Sequence, residues 1–251
     1  MSHRIRGHIL IVVVVLGLGH VASAQPNAGS ADKLRGILQE ARAPSLTQGV
    51  RLLEPDPVAS MTQHCSLGSV FEADAAMDRL AHARDELAAK LASVPEGRAL
   101  SGYVAVAFPT AISSTTNPCY RNPGGQQFRL ATPDALLAAQ GEAERFVARL
   151  QHQASTIAQV VVTSGPDRAT FSYAPSARAP GESVDKTVTN STIRNLWRGR
   201  YEYWVKKDGY VDVHDFIVLM DGDKAEIACD LVAAGSGSDG KAPTSRPCVL
   251  K

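Results

Sequence analysis

The sequence predicts an α+β fold, in which an N-terminal antiparallel helical hairpin is followed by a small antiparallel β-sandwich. Two long segments before residue 157 carry apolar residues at alternating three- and four-residue steps, which is the spacing of one helix face. After residue 157 apolar and polar residues alternate, and turn residues recur roughly every ten positions. We therefore divide the chain into a mainly helical domain, residues 25–157, and a β-domain, residues 158–233.

The first 24 residues form a predicted secretory signal peptide. Arg4 and Arg6 precede the apolar run at residues 9–18, and Ala22 and Ala24 frame a cleavage site. The run is too short to span a bilayer, for which about 20 residues are needed. We expect a periplasmic or secreted protein with no transmembrane segment after cleavage. Basic and acidic residues are balanced, 26 against 25, so no attraction to nucleic acid is expected.

Two long helices are predicted in the first domain. One covers residues 70–93, and the other begins after Thr132, a suitable N-cap residue. Each carries a single narrow apolar stripe, so the two are expected to pack together as the antiparallel hairpin. Residues 95–131 join them as a long insertion. Within this insertion, the apolar stretch at residues 102–112 suggests a strand.

The four cysteines indicate disulfides. All of them, Cys65, Cys119, Cys229 and Cys248, lie in the exported part of the chain, and an even count in an oxidising compartment favours pairing. Of the three possible pairings we favour Cys65–Cys119 with Cys229–Cys248, because each pair then falls within one region. No short C-x-x-C spacing exists, so neither zinc nor another metal is expected.

A family resemblance comes from motifs in the β-domain. A Pro-Asp-Arg-Ala tetrad occupies residues 166–169, and a later pattern of turn and alternating residues follows it: Leu196, Gly199, Tyr201, Tyr203, Val205, Gly209 and Tyr210. In this order and spacing, residues 158–233 resemble a PEGA domain. The chain departs from that pattern where Arg168 stands in the place of the tetrad's glycine and where a longer loop covers residues 174–186. The resemblance implies an accessory binding or anchoring module at the bacterial cell envelope, without catalytic residues.

Two tryptophans are the candidate binding residues. Strand alternation places Tyr201, Tyr203 and Val205 on the buried face and Trp204 on the opposite face, while Trp197 lies in a turn. The alternatives for both tryptophans are packing against the helical domain or partial exposure without a partner.

Signals for enzymatic chemistry are weak, and we predict no catalytic residue and no cofactor. His214 has Asp212 and Asp215 near it in sequence, but a polar patch on an exposed strand explains the group. Residues 235–240 formally match a glycine-rich nucleotide motif without opening a helix. They belong to residues 234–251, which are expected to form a flexible tail.

The sequence thus favours a non-enzymatic envelope protein that acts as a binding or scaffolding module. The expected partner is an envelope protein or a cell-wall polysaccharide. One alternative is an envelope hydrolase or transferase with its site in residues 95–131, which would gather polar residues and a pKa-shifted group in one pocket. Another is a glycan-binding module with Trp197 and Trp204 exposed and coplanar.

Overall fold

A computed structural model describes residues 28–48, 52–53, 70–112, 130–153, 157–220, 224–235 and 248–251. The predicted signal peptide, Cys65 and Cys119 lie outside these residues. The helices are α1 (Ala28–Glu40), α2 (Ala73–Ala92), α3 (Arg98–Ala107) and α4 (Pro133–Gln153). The strands are β1 (Leu52–Leu53), β2 (Val70–Glu72), β3 (Leu130–Ala131), β4 (Ile157–Gly165), β5 (Thr170–Pro175), β6 (Asp185–Val188), β7 (Ser191–Trp197), β8 (Gly199–Lys206), β9 (Val213–Leu219), β10 (Lys224–Asp230) and β11 (Cys248–Leu250).

The predicted α+β class is confirmed. Helices occupy the first part of the described chain, and the second part consists of two four-stranded sheets. Across the ranges given above, no helix has both the length and the apolar character needed to cross a membrane.

The two long helices form where the apolar stripes predict them. The α4 helix begins after Thr132, whose Oγ1 accepts a hydrogen bond from the Ala135 N–H at 3.2 Å, so the predicted N-cap is present. The stripes of α2 and α4 are buried in one hydrophobic cluster together with residues of α1 and α3, which we call the helical cluster. Its members include Leu34, Leu38, Leu80, Leu91, Leu100, Val104, Leu136, Ala143 and Leu150.

The predicted strand at residues 102–112 is wrong, because α3 occupies Arg98–Ala107. Alternation around Val104 and Val106 suggested a strand, but the buried residues are Leu100, Val104 and Phe108, at four-residue steps. Val106 is 59% exposed. A helix places the three buried side chains on one face toward the helical cluster, which a strand could not do.

The two large sheets have the orders β11-β10-β4-β7 and β6-β5-β8-β9, and a small third sheet has the order β1-β2-β3. We call the first two sheet 1 and sheet 2. All neighbours in them are antiparallel except β4 and β10, which are parallel. This pair departs from the purely antiparallel prediction. It is allowed because the chain passes through sheet 2 and β7 between the two strands, and a parallel pair requires such a long crossover.

Buried residues of both sheets form a second hydrophobic cluster. On β8 the predicted inward residues Tyr201, Tyr203 and Val205 are 5%, 3% and 0% exposed, which confirms the alternation. The Tyr203 ring stacks on Phe171 of β5 with centroids 5.5 Å apart. Sheet 1 contributes Val160, Val162, Ile193, Ile227 and Cys229 to the same cluster.

A disulfide joins β10 to β11. Cys229 and Cys248 are direct partners across the antiparallel pair and are bonded to each other, so this predicted pair is confirmed. The last residues of the predicted tail therefore form an edge strand of sheet 1. The bond explains this difference from the prediction, because it fixes β11 beside β10.

The Pro-Asp-Arg-Ala turn has a left-handed residue at its third position. Arg168 adopts φ 57°, a conformation in which glycine has no steric penalty. Buried Thr189 holds this turn: its Oγ1 accepts the Ala169 N–H at 2.9 Å and lies 2.6 Å from the Ser164 hydroxyl. The position where the PEGA pattern has glycine thus has the backbone conformation that favours glycine.

Helix α3 lies directly against sheet 2. Gly199 of β8 has φ 142°, and a Cβ placed there would lie 2.2 Å from the Ala99 carbonyl carbon. A Cβ on Gly102 would lie 2.9 Å from the Ser176 Cβ. On its other side, α3 donates the Ser101 hydroxyl to a carbonyl of α2 at 2.8 Å. These contacts position α3 between α2 and β8, and its first turn borders a cleft.

Candidate functional site

The outward face of sheet 2 carries a cluster of aromatic and charged side chains, which we call the outer-face patch. It consists of Arg178, Arg200, Glu202, Trp204, His214 and Phe216. At its centre Trp204 and His214 are direct cross-strand partners. Their rings stack with centroids 4.9 Å apart and an interplanar angle of 9°. The guanidinium of Arg178, in the loop after β5, lies 5.3 Å from the Trp204 ring centroid.

Phe216 extends the outer-face patch along β9. Its side chain is 46% exposed, and the Arg200 guanidinium carbon lies 4.2 Å from its ring centroid. Glu202, the cross-strand partner of Phe216, lies 3.8 Å from the His214 imidazole. The patch therefore combines the aromatic rings of Trp204 and Phe216 with two arginines, and these residue types are enriched at protein-binding surfaces.

The polar residues around His214 are exposed and have separate partners. Asp212 pairs with Lys206 at 2.6 Å, while His214 faces Glu202 and Trp204. The Asp215 carboxylate accepts the Phe216 N–H at 2.8 Å. Among the residues that the structure describes, no cluster of three potential metal ligands exists.

A cleft lies at the junction of α3 with the β-sheets, and we call it the junction cleft. Its volume is about 290 Å³. It is bordered by residues 95–99, by β5 and the loop that follows it, by the first residue of β6, by the end of β7 and by Tyr201 of β8. Aromatic residues from both sheets line it, namely Tyr173, Trp197 and Tyr201, together with the charged residues Glu96, Arg98, Arg178, Glu182 and Asp185.

Two tyrosine hydroxyls in the junction cleft are held in the neutral form. The Tyr201 hydroxyl donates to the Trp197 carbonyl oxygen at 2.7 Å, and burial raises the pKa of Tyr201 far above its ordinary value. Burial, with a smaller contribution from the Asp185 carboxylate, raises the pKa of Tyr173 to about 12. Neither phenol is therefore poised to act as a base near neutral pH.

The charged residues of the junction cleft differ in whether they have ion-pair or hydrogen-bond partners. Arg98, the first residue of α3, forms a salt bridge with Glu182, and Glu182 also accepts the Ala179 N–H at 3.0 Å. Glu96 is only 9% exposed, and its Oε2 has no hydrogen-bond partner among the described residues. Burial of a carboxylate oxygen without a hydrogen-bond donor lowers the stability of the folded state, and Glu96 differs in this respect from the other charged residues of the cleft.

The structure places the two predicted binding tryptophans in different sheets. Trp204 belongs to β8 and the outer-face patch, whereas Trp197 ends β7, lines the junction cleft and packs partly against the helical cluster. Arg178 belongs to both regions, because it borders the cleft and contacts the Trp204 ring. Sequence reasoning did not single out Arg178 or Glu96, since neither belongs to a motif. Only folding brings them to these sites.

No protein-family model and no curated protein matches this sequence. The resemblance of residues 158–233 to a PEGA domain stays a prediction.

Proposed function

We propose that this protein is a non-enzymatic binding module of the bacterial cell envelope, exported across the inner membrane. The observation that carries the proposal is the outer-face patch, in which Trp204, Phe216 and two arginines occupy an outward sheet surface. Tryptophan and arginine are the residues that most often dominate binding energy at protein interfaces. The Cys229–Cys248 disulfide supports the location, because such bonds persist in oxidising compartments.

We infer that the two large sheets form a β-sandwich of the PEGA type and that α2 and α4 form an antiparallel hairpin. The shared cluster of buried residues from both sheets supports the sandwich. The left-handed Arg168, at the tetrad's glycine position, supports the PEGA resemblance. The apolar stripes of α2 and α4 in one cluster support the hairpin.

An envelope protein is a better partner for the outer-face patch than a cell-wall polysaccharide. A sugar stacks on a free, flat aromatic face, but His214 already stacks on the Trp204 ring and Arg178 contacts it as well. The mixture of an exposed ring and paired charges instead matches a protein surface of complementary charge. The partner would bind across Trp204 and Phe216, with the two arginines at their flanks.

The test is capture from a detergent-solubilised envelope fraction with the full exported chain as bait. Trp204→Ala and Phe216→Ala should each reduce the captured amount of the same partner at least tenfold, since truncation of interface anchors costs about 2 kcal/mol or more. Leu137→Ala is the matched control, because Leu137 is 58% exposed on α4, outside the outer-face patch. Sedimentation with purified peptidoglycan tests the polysaccharide alternative.

The proposal fails if both patch variants capture every partner as well as the wild type. It also fails if Leu137→Ala loses capture to the same degree. Co-sedimentation with peptidoglycan that depends on Trp204 would replace the protein partner by a glycan. Circular dichroism of each variant must first show an intact fold.

A further inference from the structure

We propose that Asp215 closes the free edge of β9 against pairing with a second copy of this chain. In the part of the chain that the structure describes, β9 is the last strand of sheet 2 and pairs only with β8. A strand with one neighbour presents a row of unpaired N–H and C=O groups, and these groups can pair with a strand of another chain. The groups that point away from β8 therefore decide how β9 can associate.

The hydrogen bonds of β8 show which backbone groups of β9 point outward. The Arg200 carbonyl accepts a hydrogen bond at 3.0 Å from the N–H of Ser176, which follows β5. Arg200 and every second residue from it therefore direct their backbone groups to β5, and the intervening residues direct theirs to β9. Tyr203, one of the intervening residues, is the direct partner of Asp215. The outward backbone groups of β9 are thus those of His214, Phe216 and Val218.

Asp215 occupies the central donor of this edge. Its carboxylate accepts the Phe216 N–H at 2.8 Å, so the donor that a neighbouring strand would need is already bonded to a side chain. Val213 and Ile217, two residues to either side, are buried, which places Asp215 on the inward face of the sheet. An inward-pointing charge on an edge strand prevents edge-to-edge pairing, because the added strand would have to bury it.

A second copy of the chain is the complementary occupant of this edge. Two antiparallel β9 strands related by a two-fold axis offer each other the same backbone groups, and their exposed Phe216 rings would lie on one face of the joined sheet. With the axis at Phe216, each Asp215 carboxylate would face Ile217 of the other copy. With the axis at Asp215, the two carboxylates would face each other. The first arrangement buries a charge against an apolar side chain and the second opposes like charges, so Asp215 disfavours both.

The opposite edge of sheet 2 is protected in a different way. Strand β6 has only four residues, and the first two of them, Asp185 and Lys186, are exposed charges. Short and charged edges pair poorly with other chains. Strand β9 has seven residues, and the Phe216 side chain at its centre is 46% exposed. Because β9 is neither short nor charged at its centre, its protection depends on Asp215.

The experiment compares the self-association of the full exported chain with that of its Asp215→Ala variant, by sedimentation velocity over a range of protein concentrations. Asp215→Ala should form a dimer with a dissociation constant lower than that of the wild type by about tenfold or more. Asp212→Ala is the matched control and should behave as the wild type. It removes the same charge from an exposed carboxylate of the same region, which pairs with Lys206 and does not bond the Phe216 N–H.

Amide hydrogen exchange then locates the contact. At concentrations where Asp215→Ala is dimeric, exchange should slow at the outward amides of β9 and stay unchanged in β6 and β11. Asp215→Val gives the same test with a residue type that favours strands, so an effect of alanine on folding does not decide the outcome. The proposal is overturned if neither variant associates more tightly than the wild type, if Asp212→Ala associates as tightly as they do, or if the slowed amides lie outside β9. Capture by the outer-face patch uses the wild type and other variants, so the two proposals fail independently.

Discussion

Replacement of Gly199 by alanine tests how α3 is attached to the β-sheets. A Cβ at this position would lie 2.2 Å and 2.4 Å from the carbonyl carbon and oxygen of Ala99, and 2.5 Å from the Leu100 nitrogen. All three atoms belong to the backbone, so no side-chain rotation relieves the overlap. Non-bonded carbon atoms prefer about 3.5–4.0 Å, so α3 would have to move away from β8 by roughly 1.3–1.8 Å.

Two costs add up in Gly199→Ala. Overpacking of this kind typically costs about 1–3 kcal/mol. The φ of 142° is strained for any residue with a side chain, at about 1–3 kcal/mol. Alanine recovers about 0.4–1 kcal/mol by restricting the unfolded chain. We therefore expect a loss of about 3 kcal/mol in the free energy of unfolding, within extremes of about 1 and 5.6 kcal/mol.

A matched control isolates the contact from the backbone strain. Gly181 also has positive φ, 81°, but a Cβ there would meet no atom within 4 Å. Gly181→Ala should therefore cost only about 1 kcal/mol, the penalty of the left-handed conformation. Both variants are compared with the wild type by urea unfolding, followed by circular dichroism and by fluorescence of the two tryptophans.

The close approach of α3 and β8 is refuted if Gly199→Ala and Gly181→Ala lose the same stability within about 0.5 kcal/mol, the usual scatter between independent sites. Because Gly199 borders the turn beside Trp197, the midpoint of the urea transition seen by tryptophan fluorescence should also move to lower urea in Gly199→Ala. A fluorescence transition that precedes the circular dichroism transition would show that the junction opens before the sheets unfold.

Four further predictions use the same urea assay. Thr189→Val should cost about 1–3 kcal/mol, because it leaves the buried Ala169 N–H without its acceptor, while Thr189→Ser should cost less. Gly36→Ala should stabilise the protein by about 0.5–1 kcal/mol, since the new methyl group meets nothing within 4 Å inside α1. Arg168→Gly should change stability by less than about 1 kcal/mol, and Arg168→Val should destabilise it, because a β-branched residue tolerates positive φ poorly. The raised pKa of Tyr173 stabilises the folded state below pH 10 and loses this effect as the pH rises towards 12; Tyr173→Phe should show a smaller alkaline loss of stability than the wild type.

Local patterns in the sequence determined the long helices and the inward face of β8. Leu80, Leu91 and Leu136 lie on apolar stripes that only a helix can bury on one side. Strict alternation assigned Tyr203 and Val205 to the core, because the period of a strand is two. The even cysteine count and the predicted oxidising compartment favoured the Cys229–Cys248 disulfide, since both cysteines fall at the end of the β-region.

The sequence misassigned α3 because its local pattern is ambiguous. Residues 102–108 satisfy both a two-residue and a four-residue spacing, and short apolar runs do not distinguish helix from strand. The tertiary structure decided for a helix because Leu100, Val104 and Phe108 then share one buried face. Gly199 makes room for that helix from a position about 100 residues later in the chain.

Both candidate sites were decided only by tertiary structure. Trp204 meets His214 because the register of β8 and β9 makes them direct partners, and Arg178 reaches that ring from a loop. The junction cleft joins Glu96 of the helical region to Tyr173 of sheet 2. Contacts between residues so far apart depend on strand register and helix docking. Local sequence patterns determine secondary structure and the buried face, but they do not specify which distant side chains meet.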